Sequence, residues 1–256
     1  MQSIRQVRIS PKWMFVSLGL AALGFATPIH AQQGAINPLA CGPIKTGFGP
    51  FDYRTLSDEV RHKVEDYHFT PEIETLRKGN TAATPGPDLD YTLRAFPNSP
   101  RALLAMGRLA TKMKTDRPAG ARWPVECYFE RASRFMPDDP MPRVLYAGYL
   151  RDRKRIAEAR LQLDEAERVR GTPSNSDVDY NLGLLYFETG DYDKANHAAQ
   201  RAYALGAPLP ALMKKLKAIG KWREVVPPSP DATMPGAAPA SEPAPATLIP
   251  TDPKKQ

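Results

Sequence analysis

The chain has 256 residues, 35 Lys or Arg against 28 Asp or Glu, and a formal net charge of +7 at pH 7. Three of the cations and none of the acids fall in residues 1–31, so the remainder is nearer +4. The chain is thus only mildly basic and has no basic stripe interleaved with aromatic residues, so it lacks the usual signature of a nucleic-acid-binding protein.

The N-terminus has the pattern of a secretory signal peptide. A basic start is followed by the apolar run 13–26 and by small residues that predict cleavage after Ala31, with Ala26 as a weaker alternative. An N-terminal membrane anchor is the other reading, but the apolar run is shorter than the ~20 residues that a span requires. We therefore expect residues 1–31 to be removed, leaving a protein without a membrane span that is periplasmic if the source is Gram-negative.

Residues 32–97 form the next predicted segment, which is rich in Gly and Pro as far as residue 53 and helical afterwards. Its predicted helices are residues 56–67, 70–79 and 88–97. The second would have Thr70 as its N-cap, Pro71 in the first helical position and Gly79 at its stop.

The two cysteines, Cys41 and Cys127, remain after the predicted cleavage. In an oxidising compartment such a pair usually forms a disulfide, worth roughly 4–5 kcal/mol for a loop of this length in the entropic model. A redox or metal-binding pair is the alternative, although it would favour close C-x-x-C spacing or nearby His ligands. The sequence thus predicts a bridge between the N-terminal segment and the helical body.

The most informative stretch is "YNLGLLYFETGDYDKA", residues 180–195. Gly183 and Ala195 are small enough to let two helices touch, Gly190-Asp191 supplies a turn, and Ala202 would pack on a following helix. The order and spacing of these landmarks resemble the tetratricopeptide repeat, a helical hairpin of about 34 residues.

One such repeat cannot bury its own apolar face, so neighbours are expected. Ala159 and Ala166 repeat the interval between Ala195 and Ala202, which indicates a second repeat at 142–169. Residues 100–137 give a third with an inserted loop, and 208–222 predict a capping helix. The predicted fold is all-α: a right-handed α-solenoid of about three hairpins and a cap over residues 98–226, preceded by the segment 32–97 packed on it.

The resemblance implies a non-enzymatic scaffold that binds a peptide or a partner helix of another envelope protein in its concave groove. Asn181 matches the position at which chaperone-binding members hold a terminal carboxylate. The expected groove residues are Arg101, Leu104, Arg108, Val144, Arg151, Tyr180, Asn181, Leu184 and Phe187.

No catalytic motif stands out, and we expect no metal and no cofactor. His62 and His68 lie among acids, but their six-residue spacing is poor for two ligands on one helical face. The alternative hypothesis is nevertheless an envelope enzyme or metal-binding protein with its site in residues 41–97 and the repeats as a binding annex. A third is a structural subunit whose groove a neighbouring chain fills.

Residues 227–256 are dominated by Pro, Ala, Ser and Thr and contain no aromatic residue. Such a composition predicts a disordered tail with a polyproline II bias, because it cannot bury enough apolar surface to offset chain entropy. A spacer or a Pro-rich ligand for another protein is the alternative role.

Overall fold

The computed structural model describes residues 38–45, 47–171 and 175–224. These residues form ten α-helices and two short 3₁₀ turns, and they include no β-strand. The helices are α1 (Asp58–His68), α2 (Pro71–Glu74), α3 (Gly86–Ala95), α4 (Pro100–Met113), α5 (Val125–Phe135), α6 (Met141–Asp152), α7 (Ile156–Val169), α8 (Ser176–Glu188), α9 (Tyr192–Ala204) and α10 (Ala211–Ala218). The predicted signal peptide and the tail 227–256 lie outside the described residues. Among the helices described, none has the length and apolar character needed to span a bilayer.

Helices α8 and α9 form a hairpin whose two members approach closely at small residues. A Cβ added to Gly183 would lie only 3.3 Å from the carbonyl oxygen of Ala195. The turn between the helices contains Gly190, at φ +84°, and Asp191, whose side chain accepts a hydrogen bond from the backbone N–H of Lys194 at 3.2 Å. The predicted crossing and the predicted turn are both present.

Helices α6 and α7 form the preceding hairpin, with Ala147, Ala159 and Ala166 buried. Polar contacts join this hairpin to the next one. The Arg160 guanidinium on α7 donates to the carbonyl of Thr189, which begins the α8–α9 turn, with 3.1 Å between Nε and O. Successive hairpins are therefore held side by side by side chains as well as by their apolar faces.

Helices α4 and α5 are joined by a longer connection, residues 114–124, as the sequence predicted. The buried carboxylate of Asp90 on α3 organises this loop: it accepts from the backbone N–H of Arg122 at 3.1 Å and from the hydroxyl of Tyr128. Burial and the negative charge of Asp90 raise the pKa of the Tyr128 hydroxyl well above its ordinary value. The insertion is thus an ordered loop fixed to the preceding helix.

Helix α10 is shorter than the predicted 208–222. It begins after Pro210 and ends before Gly220, which has a left-handed φ of +66°. Leu212 and Leu216 are fully buried, whereas Leu209 and Ile219 are about half exposed. The helix covers the end of α8 and α9 with only part of the apolar face that the sequence suggested.

The N-terminal helices also differ from prediction. α2 is a single turn that ends at Glu74, not at Gly79, because Leu76 adopts a left-handed φ of +59° and turns inward to an 8 % exposed position. Thr70 is the N-cap and Pro71 the first helical residue, as predicted, although the Thr70 side chain makes no capping hydrogen bond. α3 begins at Gly86, two residues before the predicted start, and packs against α1 and α4.

The predicted disulfide between Cys41 and Cys127 is confirmed, and it closes a sequence separation of 86 residues. Beside it, the fully buried guanidinium of Arg131 donates to the carbonyls of Cys41 at 3.0 Å and Ile44 at 3.1 Å, and also to that of Pro43. Burial lowers the pKa of Arg131 to about 10. The segment 41–44 is thus attached to α5 by one covalent bond and by one buried cation.

Candidate functional site

A cleft of about 660 Å³ runs across helices α4, α6 and α8, the first members of the three hairpins. Residues three or four apart on a helix share one face, and each of these helices lines the cleft with such a set. The sets that follow this spacing are Leu104, Arg108 and Thr111 on α4, Val144, Gly148 and Arg151 on α6, and Asn181, Leu184 and Glu188 on α8.

The floor of the cleft is apolar and partly open to solvent. Leu103 and Val144 are buried beneath it, whereas Leu104 is 40 % exposed and Leu145 and Leu184 are half-buried. Gly148 leaves space in the middle, because a Cβ there would meet nothing nearer than a Leu185 methyl at 3.8 Å. A surface of this kind would release water when another apolar group covers it.

The α4 end of the cleft is cationic. Arg108 and Lys112 are both exposed, and the Lys112 ammonium donates to the carbonyl of Leu76 at 2.7 Å. Glu74 is bonded by the Arg101 guanidinium, with 2.8 Å from Nε to Oε1. Hydrogen bonding to Arg101 and the charges of Arg101 and Arg108 hold the pKa of Glu74 below its ordinary value.

Helices α6 and α8 bring one base and two acids to the cleft. Arg151 on α6 bonds Asp152, with 3.0 Å from Nε to Oδ1, and it also forms an ion pair with Glu188 on α8. Both carboxylates belong to exposed residues. One guanidinium therefore faces two carboxylates, of which Asp152 also lines a neighbouring pocket with Thr111 and Lys114 beside α4.

Six of the nine residues predicted for the groove line this cleft, and three do not. Those that line it are Leu104, Arg108, Val144, Arg151, Asn181 and Leu184. The three that the structure places elsewhere are Arg101, Tyr180 and Phe187. The predicted groove residues on α6 all reach the cleft, whereas those on α4 and α8 do so only in part.

The three exceptions have separate physical reasons. Tyr180 is only 7 % exposed and packs edge-on against Tyr203, so it belongs to the core between α8 and α9. Phe187 points towards the other side of α8, where its ring meets Tyr192 at a centroid distance of 5.4 Å. Arg101 lies one turn too early on α4 and pairs with Glu74 of α2.

Sequence reasoning also missed several residues that line the cleft. Leu145 and Leu185 each follow a residue of the predicted set, and Gly148 lies four residues after Val144. Helical spacing from Val144 could have found Gly148, from which Leu145 is three residues away, and spacing from Asn181 could have found Leu185. Leu76 could not have been found in this way, because it reaches the cleft only through the early end of α2.

Asn181 lines the cleft with its amide already engaged. Its Nδ2 donates to the carbonyl of Asp177, one turn earlier on α8, at 2.7 Å. Lys214 and Lys215 of α10 are not among the residues that line the cleft, and the Lys215 ammonium lies 5.5 Å from the ring centroid of Phe187 instead. The described residues thus do not assemble a carboxylate clamp around Asn181.

The segment 41–97 was the alternative location for a site. His68 Nδ1 lies 3.0 Å from the buried carboxylate of Asp88, which also accepts from the backbone N–H groups of Asn80 at 2.8 Å and Thr81 at 3.0 Å. Burial alone would raise the pKa of Asp88, but the hydrogen bonds from Thr81, His68 and Asn80 outweigh it and keep the pKa below its ordinary value. The pair closes the loop before α3.

His62 does not join this cluster and instead meets Asp66 at 3.1 Å on the surface of α1. Across the described ranges, no three His, Cys, Asp or Glu side chains converge as metal ligands would. Searches against known protein families, curated proteins and solved structures found no match. The tetratricopeptide resemblance therefore rests on the residues of this chain alone.

Proposed function

We propose that this protein is a non-enzymatic interaction scaffold of the cell envelope, a tetratricopeptide-type solenoid that binds a peptide or a partner helix of another protein in the cleft. The observation that carries the proposal is the cleft itself. The first helices of three successive hairpins contribute to one continuous surface, on which leucine side chains are partly exposed.

The size of the apolar surface suits a ligand anchored by a few aliphatic side chains. Covering one leucine completely contributes about 1.5–3 kcal/mol, and Leu104 and Leu184 are only partly available. Two or three such contacts do not reach the about 8 kcal/mol of a micromolar affinity once the cost of association is subtracted, so polar contacts at the edges of the cleft must add to them.

The envelope location rests on two features that agree. The basic and apolar start predicts export, and the Cys41–Cys127 disulfide is of the kind that persists in oxidising compartments. Both are compatible with a secreted protein that works outside the cytoplasm.

A site-specific photocrosslink tests the proposal. A photoreactive residue replaces Leu184 in the cleft, and the matched control carries it in place of Leu161, which is 67 % exposed on α7 and does not line the cleft. In cells that produce these variants, we expect position 184 to give a discrete crosslinked adduct with a partner and position 161 to give none of the same mass. Equal labelling from both positions would contradict a docking role for the cleft.

A further inference from the structure

The C-terminal tail begins close to the cleft. The last described residues before it are attached to α9: the backbone N–H of Arg223 donates to the side chain of Asn196 at 3.0 Å, and the Gln200 amide donates to the Arg223 carbonyl at 2.6 Å. Helix α9 packs against α8, and α8 lines the cleft. The tail therefore starts one helix away from this surface.

The tail contains one pair of large aliphatic residues. Leu248 and Ile249 are the only Leu, Ile or Val in residues 227–256, and they stand in the stretch "ATLIPTDP". A residue that precedes a proline favours an extended backbone, and Ile249 precedes Pro250. The pair thus has the composition of a short extended anchor that follows a long polar connection.

The connection is long enough to bring this pair to the cleft. Leu248 follows Glu224, the last described residue, by 24 positions (248 − 224). A linker of this length has an average span of roughly 27 Å and a maximum near ~80 Å. Neighbouring helices pack about 8–10 Å apart, so the far side of the cleft lies roughly 30 Å from α9. The linker covers this distance without being fully stretched.

The cleft offers groups that complement this stretch of the tail. Leu104 is 40 % exposed and Leu184 is half-buried, so two aliphatic side chains laid across them would remove apolar surface from water. Arg108 lines the cleft, is exposed and has no carboxylate partner within the described ranges. Asp252 follows Ile249 by three residues, about 10 Å in an extended chain, and would give Arg108 such a partner.

We infer that residues 246–252 of the tail occupy the cleft of their own chain and are displaced when a partner binds. This inference rests on the proposed function, because it places a competitor on the same surface. A tether of this kind gives an effective concentration of about 1 mM. A segment with a dissociation constant of about 0.1 mM would then fill about nine tenths of the clefts and weaken a partner's apparent affinity about tenfold. A few aliphatic contacts therefore suffice for a tethered ligand.

Photocrosslinking of the dilute, purified protein with its tail intact tests this inference. A photoreactive residue replaces Leu184, alone or together with Leu248→Asp and Ile249→Asp. The matched control carries Ala237→Asp and Ala238→Asp, which add the same charge to the tail away from the aliphatic pair. We expect position 184 to crosslink to residues 246–252 of the same chain, as mapped by mass spectrometry of proteolytic fragments.

The internal crosslink should fall about tenfold in the Leu248→Asp, Ile249→Asp chain, since losing two aliphatic contacts weakens the segment about a hundredfold or more. It should persist in the control, and in cells the first variant should give several-fold more adduct with a partner.

The possible failures are distinguishable. If position 184 gives no internal crosslink, gives a crosslinked dimer instead, or gives an internal crosslink that the Leu248→Asp, Ile249→Asp change leaves intact, the inference is overturned. The proposed function still stands in these cases if position 184 captures a partner in cells. If that position captures neither the tail nor a partner, both the inference and the proposed function fall.

Discussion

Replacing Gly183 by Ala tests the close approach of α8 to α9 and α10. The new methyl group would lie 2.5 Å from a methyl carbon of the buried Leu212, and 3.3 Å from both the Ala195 carbonyl oxygen and the Ala199 nitrogen. Such overpacking costs about 1–3 kcal/mol, whereas the higher helix propensity of Ala returns up to about 1 kcal/mol. We expect Gly183→Ala to lower the free energy of unfolding by about 1 kcal/mol.

Gly148 provides the matched control, because it also lies inside a helix but has free space beside it. The nearest atom to an added Cβ is a Leu185 methyl at 3.8 Å, an ordinary van der Waals distance. Gly148→Ala should therefore stabilise the fold by about 0.5–1 kcal/mol through helix propensity. The two substitutions are chemically identical, and the structure predicts opposite signs for them.

Urea unfolding followed by circular dichroism measures both variants, and a double variant with Leu212→Ala separates the causes. If the clash with Leu212 dominates, the cost of Gly183→Ala should shrink by about 1 kcal/mol in that background. The packing argument would be refuted if Gly183→Ala were as stable as Gly148→Ala, or if its cost were unchanged when Leu212 is truncated.

Three further predictions concern the N-terminal segment. Cys41→Ser with Cys127→Ser should lower the free energy of unfolding by about 4–5 kcal/mol, given the long loop that the disulfide closes. Arg131→Met should cost about 2–5 kcal/mol, because the carbonyls of residues 41–44 lose their buried donor. The pKa of Asp88 is lower in the folded than in the unfolded chain. Its carboxylate therefore stabilises the fold above about pH 4, and this contribution is lost as pH falls through the folded pKa.

Denaturant unfolding measures the change in stability that each of the three predictions expects. Wild-type protein under reducing conditions should match the cysteine variant. A loss of less than about 1 kcal/mol in the free energy of unfolding would argue against stabilisation by the disulfide. Arg134→Met controls for Arg131 and should cost less, because Arg134 is exposed and donates to one carbonyl, that of Gly42, besides its ion pair with Glu130. Asp88→Asn should be less stable at pH 7 but less sensitive to acid below about pH 4, and an unchanged acid sensitivity would contradict the assignment.

Sequence reasoning found those features that depend on local spacing. The small residues Gly183 and Ala195 mark a helix crossing because no larger side chain fits there, and the pattern is visible without the structure. The disulfide also followed from the number of cysteines and the predicted export. The all-α fold class could be predicted because the apolar residues repeat at helical intervals, and the structure confirms it.

Features that depend on tertiary packing were not predictable in this way. Tyr180 was assigned to the groove, but small rotations of a helix decide whether such a residue faces a cleft or the partner helix, and the Tyr203 ring accepts it in the core. The early end of α2 depends on Leu76, whose inward turn is stabilised by burial. The burial of Arg131 depends on carbonyls about 90 residues earlier in the chain.

The most direct test of the central claim takes a peptide segment that binds the protein and measures its affinity for a set of alanine variants of the protein. Leu104→Ala and Leu184→Ala each remove an aliphatic group that a ligand would cover, so each should weaken binding about tenfold. Leu161→Ala, outside the cleft, should change the dissociation constant less than about twofold. If all three variants bind the segment equally well, or if Leu161→Ala is the one that weakens it, the cleft across α4, α6 and α8 is not the binding site.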